Sequence, residues 1–231
     1  MKRFYKTAAA VPDGDGFAIM LDGKAVRTPG GRHLRVPFLP LAEAIAAEWQ
    51  AQGDEIRADG IPLTQLASTA LDRVGPEREM ILDQLMAYAG SDLLCYRAEG
   101  PDDLVERQRR LWQPLLDWMY GHWGVALTVT AGVIPISQPE AALTALRDHL
   151  DRYDVWSLTA LQSAVAAMGS LVLGVALVEG KMSPEEAFAA SQLDETYQNE
   201  LWGEDAEAMK FRDSLRNDIR LVGVFMEQSL R

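Results

Sequence analysis

The sequence has few of the residues that support metal, redox or nucleotide chemistry. Its single cysteine, Cys95, cannot form an internal disulfide, so the fold does not depend on an oxidising compartment. The three histidines lie far apart and none has the i, i+4 spacing of a zinc-binding helix. Gly30 and Gly31 lack the Lys-Ser/Thr pair of a phosphate-binding loop. We therefore expect no cofactor, and we expect Cys95 to be a small buried residue.

Positive charge is also scarce. The chain has 22 Lys and Arg against 34 Asp and Glu, a formal net charge of −12. This balance argues against nucleic acid and anionic membrane surfaces as partners. The N-terminal residues have neither the apolar core of a signal peptide nor the composition of a transit peptide. We expect a cytoplasmic protein that binds another protein or a small ligand.

Residues 157–178 carry no charged side chain and are the most apolar part of the chain. Their large residues recur at steps of three and four, which indicates one helix that is buried on nearly all sides. Small residues between them, such as Gly174, would let neighbouring helices approach closely. A membrane span of about 20 residues is the alternative. Thr159, Gln162 and the balanced flanking charges argue against membrane insertion.

The N-terminal part has the pattern of a small sheet. Residues 3–36 contain short strand candidates, two of which are joined by Asp22-Gly23, a pair that favours a type I′ turn. An amphipathic helix from Pro40 to Gln52 follows and can cover the sheet. Gly75-Pro76 then interrupts the helical pattern.

The fold class expected from these patterns is α+β. We predict a small β-sheet-plus-helix domain at residues 1–75, followed by a mostly α-helical domain at 76–231. The second domain would be an orthogonal bundle around a buried central helix at 157–179.

Two more helices are expected after the central one. Ser183-Pro184-Glu185-Glu186 has the pattern of a capping box, and the helix that it opens is predicted to stop at Gly203 and to bury Leu201. The last helix is predicted to place Phe211 inward with the apolar residues that follow it.

The strongest candidate site is acidic. Residues 182–209 contain eight Asp and Glu and no Lys or Arg. Unpaired acids cluster where a partner protein or a divalent metal supplies the positive charge. The candidate partner-binding residues are Trp202, Glu204, Asp205, Glu207, Asp194 and Glu195. A solvated helix face and a metal-dependent hydrolase using carboxylates of residues 194–207 are the alternatives.

Short strings in order along nearly the whole chain resemble one known family, the assembly chaperone of the F-type ATP synthase that binds the free alpha subunit. These strings are FYK at 4–6, LDGKAVRTP at 21–29, AEW at 47–49, PLTQLASTALD at 62–72, SDLLCYRAEGPDDL at 91–104, WQPLLDW at 112–118 and LDETYQNELWGEDAEA at 193–208.

The resemblance implies a non-enzymatic chaperone with a sheet-containing N-terminal domain and a helical C-terminal one. Its partner would be the unassembled alpha subunit, whose beta-facing interface it masks against aggregation, and it would be a monomer when free. The resemblance also implies a critical glutamate just after the Trp-Gly pair, which falls on Glu204 or Glu207. Eukaryotic members are mitochondrial, and the absence of a transit-peptide composition suggests a bacterial relative.

Overall fold

The computed structural model describes residues 1–229, and its architecture is α+β, as the sequence predicts. Its strands are β1 (Ala8–Asp13), β2 (Gly16–Leu21), β3 (Lys24–Ala25), β4 (Arg35–Val36), β5 (Tyr96–Arg97) and β6 (Thr130–Ala131). Its helices are α1 (Leu39–Gln50), α2 (Pro62–Thr69), α3 (Arg78–Gly90), α4 (Asp102–Trp123), α5 (Glu140–Leu150), α6 (Val155–Met168), α7 (Leu171–Val178), α8 (Pro184–Ser191), α9 (Leu193–Trp202) and α10 (Ala206–Gln228).

Contacts between Cα atoms divide the chain into two compact units. The first contains Met1–Arg78, Asp154–Ala160 and, among the described residues, 224–229. The second contains Glu79–Tyr153 and Leu161–Gly223. The helices α6 and α10 thus contribute residues to both units. The division into domains at residues 1–75 and 76–231 stays a prediction.

The sheet of the first unit is built on β2, which pairs antiparallel with β1, β3 and β4. Asp22 and Gly23 connect β2 to β3 with φ angles of 45° and 78°, and both positive values are those that a type I′ turn requires. The Asp22 carboxylate accepts hydrogen bonds from the Thr7 amide and hydroxyl at 2.8 and 2.9 Å. Hydrogen bonds from the Thr7 and Lys6 amides lower the pKa of Asp22.

Helix α1 packs against this sheet and buries Leu41, Ala42, Ile45, Ala46 and Trp49. The Trp49 indole donates a hydrogen bond to Thr64 Oγ1 at 3.1 Å. The Tyr5 hydroxyl donates to the Trp49 carbonyl oxygen at 2.6 Å. Trp49 is therefore a core residue with its polar atoms satisfied, and its role is structural.

A carboxylate of α1 caps the next helix. No side chain at the first turn of α2 accepts from its free amides. The Glu48 carboxylate instead accepts from the Leu63 and Thr64 amides at 2.6 and 2.9 Å and from Thr64 Oγ1 at 2.8 Å. Burial raises the pKa of Glu48, and these hydrogen bonds act in the opposite direction. The Glu48 side chain thus links α1 to the N-terminus of α2.

The prediction of one central helix at residues 157–179 is wrong. The stretch forms α6 and α7, separated at Gly169 and Ser170. Gly169 has a φ of +67°, a left-handed value that ends a helix and that glycine adopts without strain. Ser170 begins the next helix, because its side chain accepts from the Leu173 amide at 3.0 Å.

The break is stabilised by Asp92, a fully buried residue that is far away in the sequence. Its carboxylate accepts from Ser170 Oγ at 2.8 Å, from the Val172 amide at 3.0 Å and from the Leu94 amide at 3.0 Å. Burial raises the pKa of Asp92, and the hydrogen bonds act against that rise. The carboxylate provides acceptors for the amides that a helix start leaves without a partner.

The prediction that the central stretch is buried is confirmed. Every residue of α7 from Leu171 to Leu177 is buried. A Cβ atom added at Gly174 would lie 2.6 Å from Val165 Cγ2, so glycine allows α6 and α7 to approach closely. In the described part of the chain, no helix is long and apolar enough to cross a membrane.

The capping box at Ser183 is confirmed, with Glu186 and Ser183 each bonded to the backbone of the other. The helix that it opens ends at Ser191, however, and α9 begins after Gln192. The predictions that Leu201 and Phe211 are buried are wrong, since they are 55% and 68% exposed. The repeat of apolar residues continues to these positions, but all residues from 201 to 208 are exposed.

We predict that Asp92→Ala lowers the free energy of unfolding by about 3 kcal/mol or more, because its buried hydrogen-bond donors would lose their acceptor. Asp148→Ala is the matched control: Asp148 is an exposed helical aspartate, and its loss should change stability by less than about 0.5 kcal/mol. Urea denaturation followed by circular dichroism measures both. Equal midpoints for the two variants would contradict the assigned role of Asp92.

Candidate functional site

The turn between α9 and α10 exposes large apolar side chains beside carboxylates. We call residues 201–207 the acidic turn. Trp202 is 78% exposed and Leu201 is 55% exposed. Phe211 lies four residues after Glu207 in α10, so the two side chains share a helix face. Exposed aromatic groups in a cluster are typical of protein-binding surfaces.

The three acids of the acidic turn have different roles. Asp205 caps α10, because its carboxylate accepts from the Glu207 and Ala208 amides at 3.0 and 2.9 Å. The carboxylates of Glu204 and Glu207 are exposed and make no ion pair or hydrogen bond within residues 1–229. Glu207 also lies in the first turn of α10, where a negative charge is favourable. Glu204 and Glu207 are thus the two acids free to meet a cation on a partner.

Other acids of the segment 182–209 already have cationic partners. Glu200 forms an ion pair with Arg107 at 2.7 Å. Glu185 lies 2.5 Å from Arg220 and 3.6 Å from Arg216. For these two glutamates the expectation of uncompensated charge is wrong, because the arginines come from other parts of the sequence. For Glu204 and Glu207 the expectation agrees with the described structure.

Asp194 and Glu195 lie away from the acidic turn. Both belong to the first turn of α9, about 12 Å along the helix axis from Trp202. Asp194 accepts a hydrogen bond from Gln108 Nε2 at 2.8 Å, whereas Glu195 is exposed. The structure therefore brings together four of the six candidate residues: Trp202, Glu204, Asp205 and Glu207.

The geometry gives no support to metal or thiol chemistry. No group of three or more His, Cys, Asp or Glu side chains in residues 1–229 could hold a metal ion. Cys95 is buried, and burial together with the nearby Asp92 raises the pKa of its thiol to about 12. A thiol of this kind stays protonated at neutral pH and is a poor nucleophile.

Known proteins share the sequence and the fold of this chain. A family model described as ATP12 chaperone protein matches residues 2–120. The mitochondrial protein atp12 of Schizosaccharomyces pombe is 29% identical over 232 residues, which cover 94% of this chain and 79% of that protein.

Solved structures resemble the whole chain. The Atp12 crystal structure from Paracoccus denitrificans is 38% identical, with a TM-score of 0.95 over 99% of this chain and 98% of that one. An aspartate-to-lysine mutant of Paracoccus Atp12p is 37% identical with the same TM-score and coverage. A protein of Agrobacterium tumefaciens is 35% identical, with a TM-score of 0.93 over 100% of this chain and 86% of that one.

We predict that Trp202→Ala changes the free energy of unfolding by less than about 0.5 kcal/mol, because the exposed indole contributes little to the core. Trp49→Ala should cost about 3–5 kcal/mol, since it removes a buried aromatic and leaves a cavity. Thermal and urea denaturation of both variants test this contrast. A large loss of stability in Trp202→Ala would show that the acidic turn is structural.

Proposed function

Because the chain belongs to the ATP12 chaperone family, we propose that it assists assembly of the F-type ATP synthase by binding the unassembled alpha subunit. It would mask the beta-facing interface of that subunit until the proper partner arrives. An unassembled subunit exposes apolar surface that favours aggregation. The chaperone therefore acts by covering a surface rather than by catalysing a reaction.

One observation carries the proposal: Trp202, 78% exposed, lies in the same turn as two glutamates that have no cationic partner within residues 1–229. A buried aromatic anchor supplies much of the affinity of a typical interface. Charged groups at its rim speed encounter and select the partner. A surface of this composition would bind an interface that combines an apolar pocket with Arg or Lys.

The rest of the molecule is compatible with a monomeric carrier in the cytoplasm. Cys95 is reduced and buried, so the fold suits a reducing compartment. The net charge of −12 keeps such a carrier soluble and disfavours its self-association.

The proposal is tested by refolding purified alpha subunit with and without this protein. We expect light scattering from aggregated alpha subunit to fall when the chaperone is present in equimolar amount. We also expect a complex that weakens as salt is raised, because rim charges are screened. Unchanged aggregation together with the absence of a complex in size-exclusion chromatography would contradict the proposed function.

We further predict that Glu204→Lys or Glu207→Lys weakens the complex with alpha subunit about tenfold or more, because each change places a positive charge where a cation is expected. Both positions are exposed, so stability should change by less than about 1 kcal/mol, including the helix-end effect at Glu207. Affinity is measured by calorimetry and stability by thermal denaturation.

Glu43→Lys is the matched control, since Glu43 is an exposed helical glutamate of the first unit. It changes the net charge of the protein by the same amount. An equal loss of affinity in Glu43→Lys would show that total charge, and not the acidic turn, governs binding. Asp205 is unsuitable for this test because its change would also remove the α10 cap.

A further inference from the structure

The second unit contains a pocket whose charge is opposite to that of the acidic turn. It has a volume of about 520 Å³, and residues of α4, α8, α9 and α10 line it. Four arginines are among them, Arg107, Arg110, Arg212 and Arg216, against a single acid, Glu185. This concentration of positive charge is notable in a chain with a net charge of −12. The α9 residues of the pocket are Leu193 and Thr196, so it lies apart from Trp202.

The four arginines differ in their pairing with carboxylates, and Glu106 interacts with Arg110 through its charge only. Arg107 pairs with Glu200 at 2.7 Å, and Arg216 lies 3.6 Å from Glu185. Within residues 1–229, neither Arg110 nor Arg212 forms an ion pair. The pocket therefore keeps uncompensated positive charge that an incoming anion would neutralise.

Two of the guanidinium groups are also held in place by their neighbours. Arg216 and Arg212 lie over the ring of Phe188, at 4.3 and 5.7 Å from its centroid. Arg212 Nη2 donates to Thr196 Oγ1 at 2.8 Å. Arg212 Nη1 is buried and makes no hydrogen bond, whereas Arg216 Nε faces Glu185 Oε2 at 3.6 Å. The ring of Phe188 and the Thr196 hydroxyl therefore hold these two guanidinium groups at the pocket.

We propose that this pocket binds the carboxylate of an acidic peptide segment on the client protein. That the client is the alpha subunit rests on the proposed function. Planar guanidinium groups match a carboxylate through paired hydrogen bonds. Leu111, which is exposed, also lines the pocket. Its side chain provides apolar surface for the methylene groups of the client's acidic residue or for an adjacent apolar residue of the client.

Glu185 favours a carboxylate over a phosphate. Arg216 of the pocket already lies 3.6 Å from this carboxylate, and Arg220, outside the pocket, pairs with its other oxygen. A phosphate group with nearly two negative charges would meet stronger repulsion from Glu185 than a singly charged carboxylate would. The client is thus expected to carry a basic group for the acidic turn and an acidic group for the pocket.

The experiment is an NMR titration of the full-length ¹⁵N-labelled chain at low ionic strength. The probes are the peptide acetyl-Ala-Leu-Glu-Leu-Ala-amide, its Gln counterpart, and inorganic phosphate. We expect the Glu peptide to bind at least about tenfold more tightly than the other two, because only it combines one charge with an apolar stem. Equal binding of the Glu and Gln peptides, or tighter binding of phosphate, would overturn the proposal.

Variants test whether the Glu peptide binds in the pocket. Arg110→Gln should weaken binding of the Glu peptide about tenfold or more, since Arg110 lines the pocket and forms no ion pair within residues 1–229. Arg109→Gln is the control: Arg109 is the neighbouring residue, it is exposed and it pairs with Glu106 outside the pocket. Arg212→Gln is a second pocket variant, and its thermal midpoint shows whether it folds. Equal effects of Arg110→Gln and Arg109→Gln would overturn the proposal.

The alpha-subunit refolding assay separates this proposal from the proposed function. If the wild-type chain suppresses aggregation and Arg110→Gln does so equally well, the pocket proposal fails and the chaperone function stands. If the wild-type chain does not suppress aggregation, the chaperone function fails. Selective Glu-peptide binding that requires Arg110 would then still support a carboxylate site.

Discussion

The helical unit depends on one buried carboxylate. Asp92 has no exposed surface, yet it accepts hydrogen bonds from the start of α7 and from the residues just after it in the chain. This interaction makes it possible for a long apolar stretch to change direction inside the core, where an unpaired amide would be costly. The break also lets Gly174 of α7 meet Val165 of α6 at close range.

Much of the fold could be predicted because the signals were local. The Asp22-Gly23 turn, the Ser183 capping box and the buried character of residues 157–178 each follow from residues that are adjacent in the sequence. The helix break at Gly169 could not be predicted in this way. The apolar repeat continues through it, and its stabilising partner lies 78 residues earlier.

In the candidate site, too, features set by adjacent residues could be predicted and features set by distant residues could not. The charges along residues 182–209 indicate the acidic segment. They do not indicate that Arg107, which lies 93 residues earlier in the sequence, pairs with Glu200. The apolar repeat likewise assigned Phe211 to the core, although the start of α10 has no covering layer. The arginine pocket had a sequence signal in the i, i+4 spacing of Arg212 and Arg216. That spacing alone does not predict a pocket, because α4 and α8 contribute the other lining residues.

The shared capping carboxylate of Glu48 has a consequence for how the first unit opens. Since Glu48 belongs to α1 and satisfies the first amides of α2, fraying of α2 at its N-terminus must also free a half-buried anion on α1. Unravelling of either helix at this junction therefore also breaks hydrogen bonds to the other helix. We therefore expect the first turn of α2 and the end of α1 that carries Glu48 to open together, beside the short strands packed against α1.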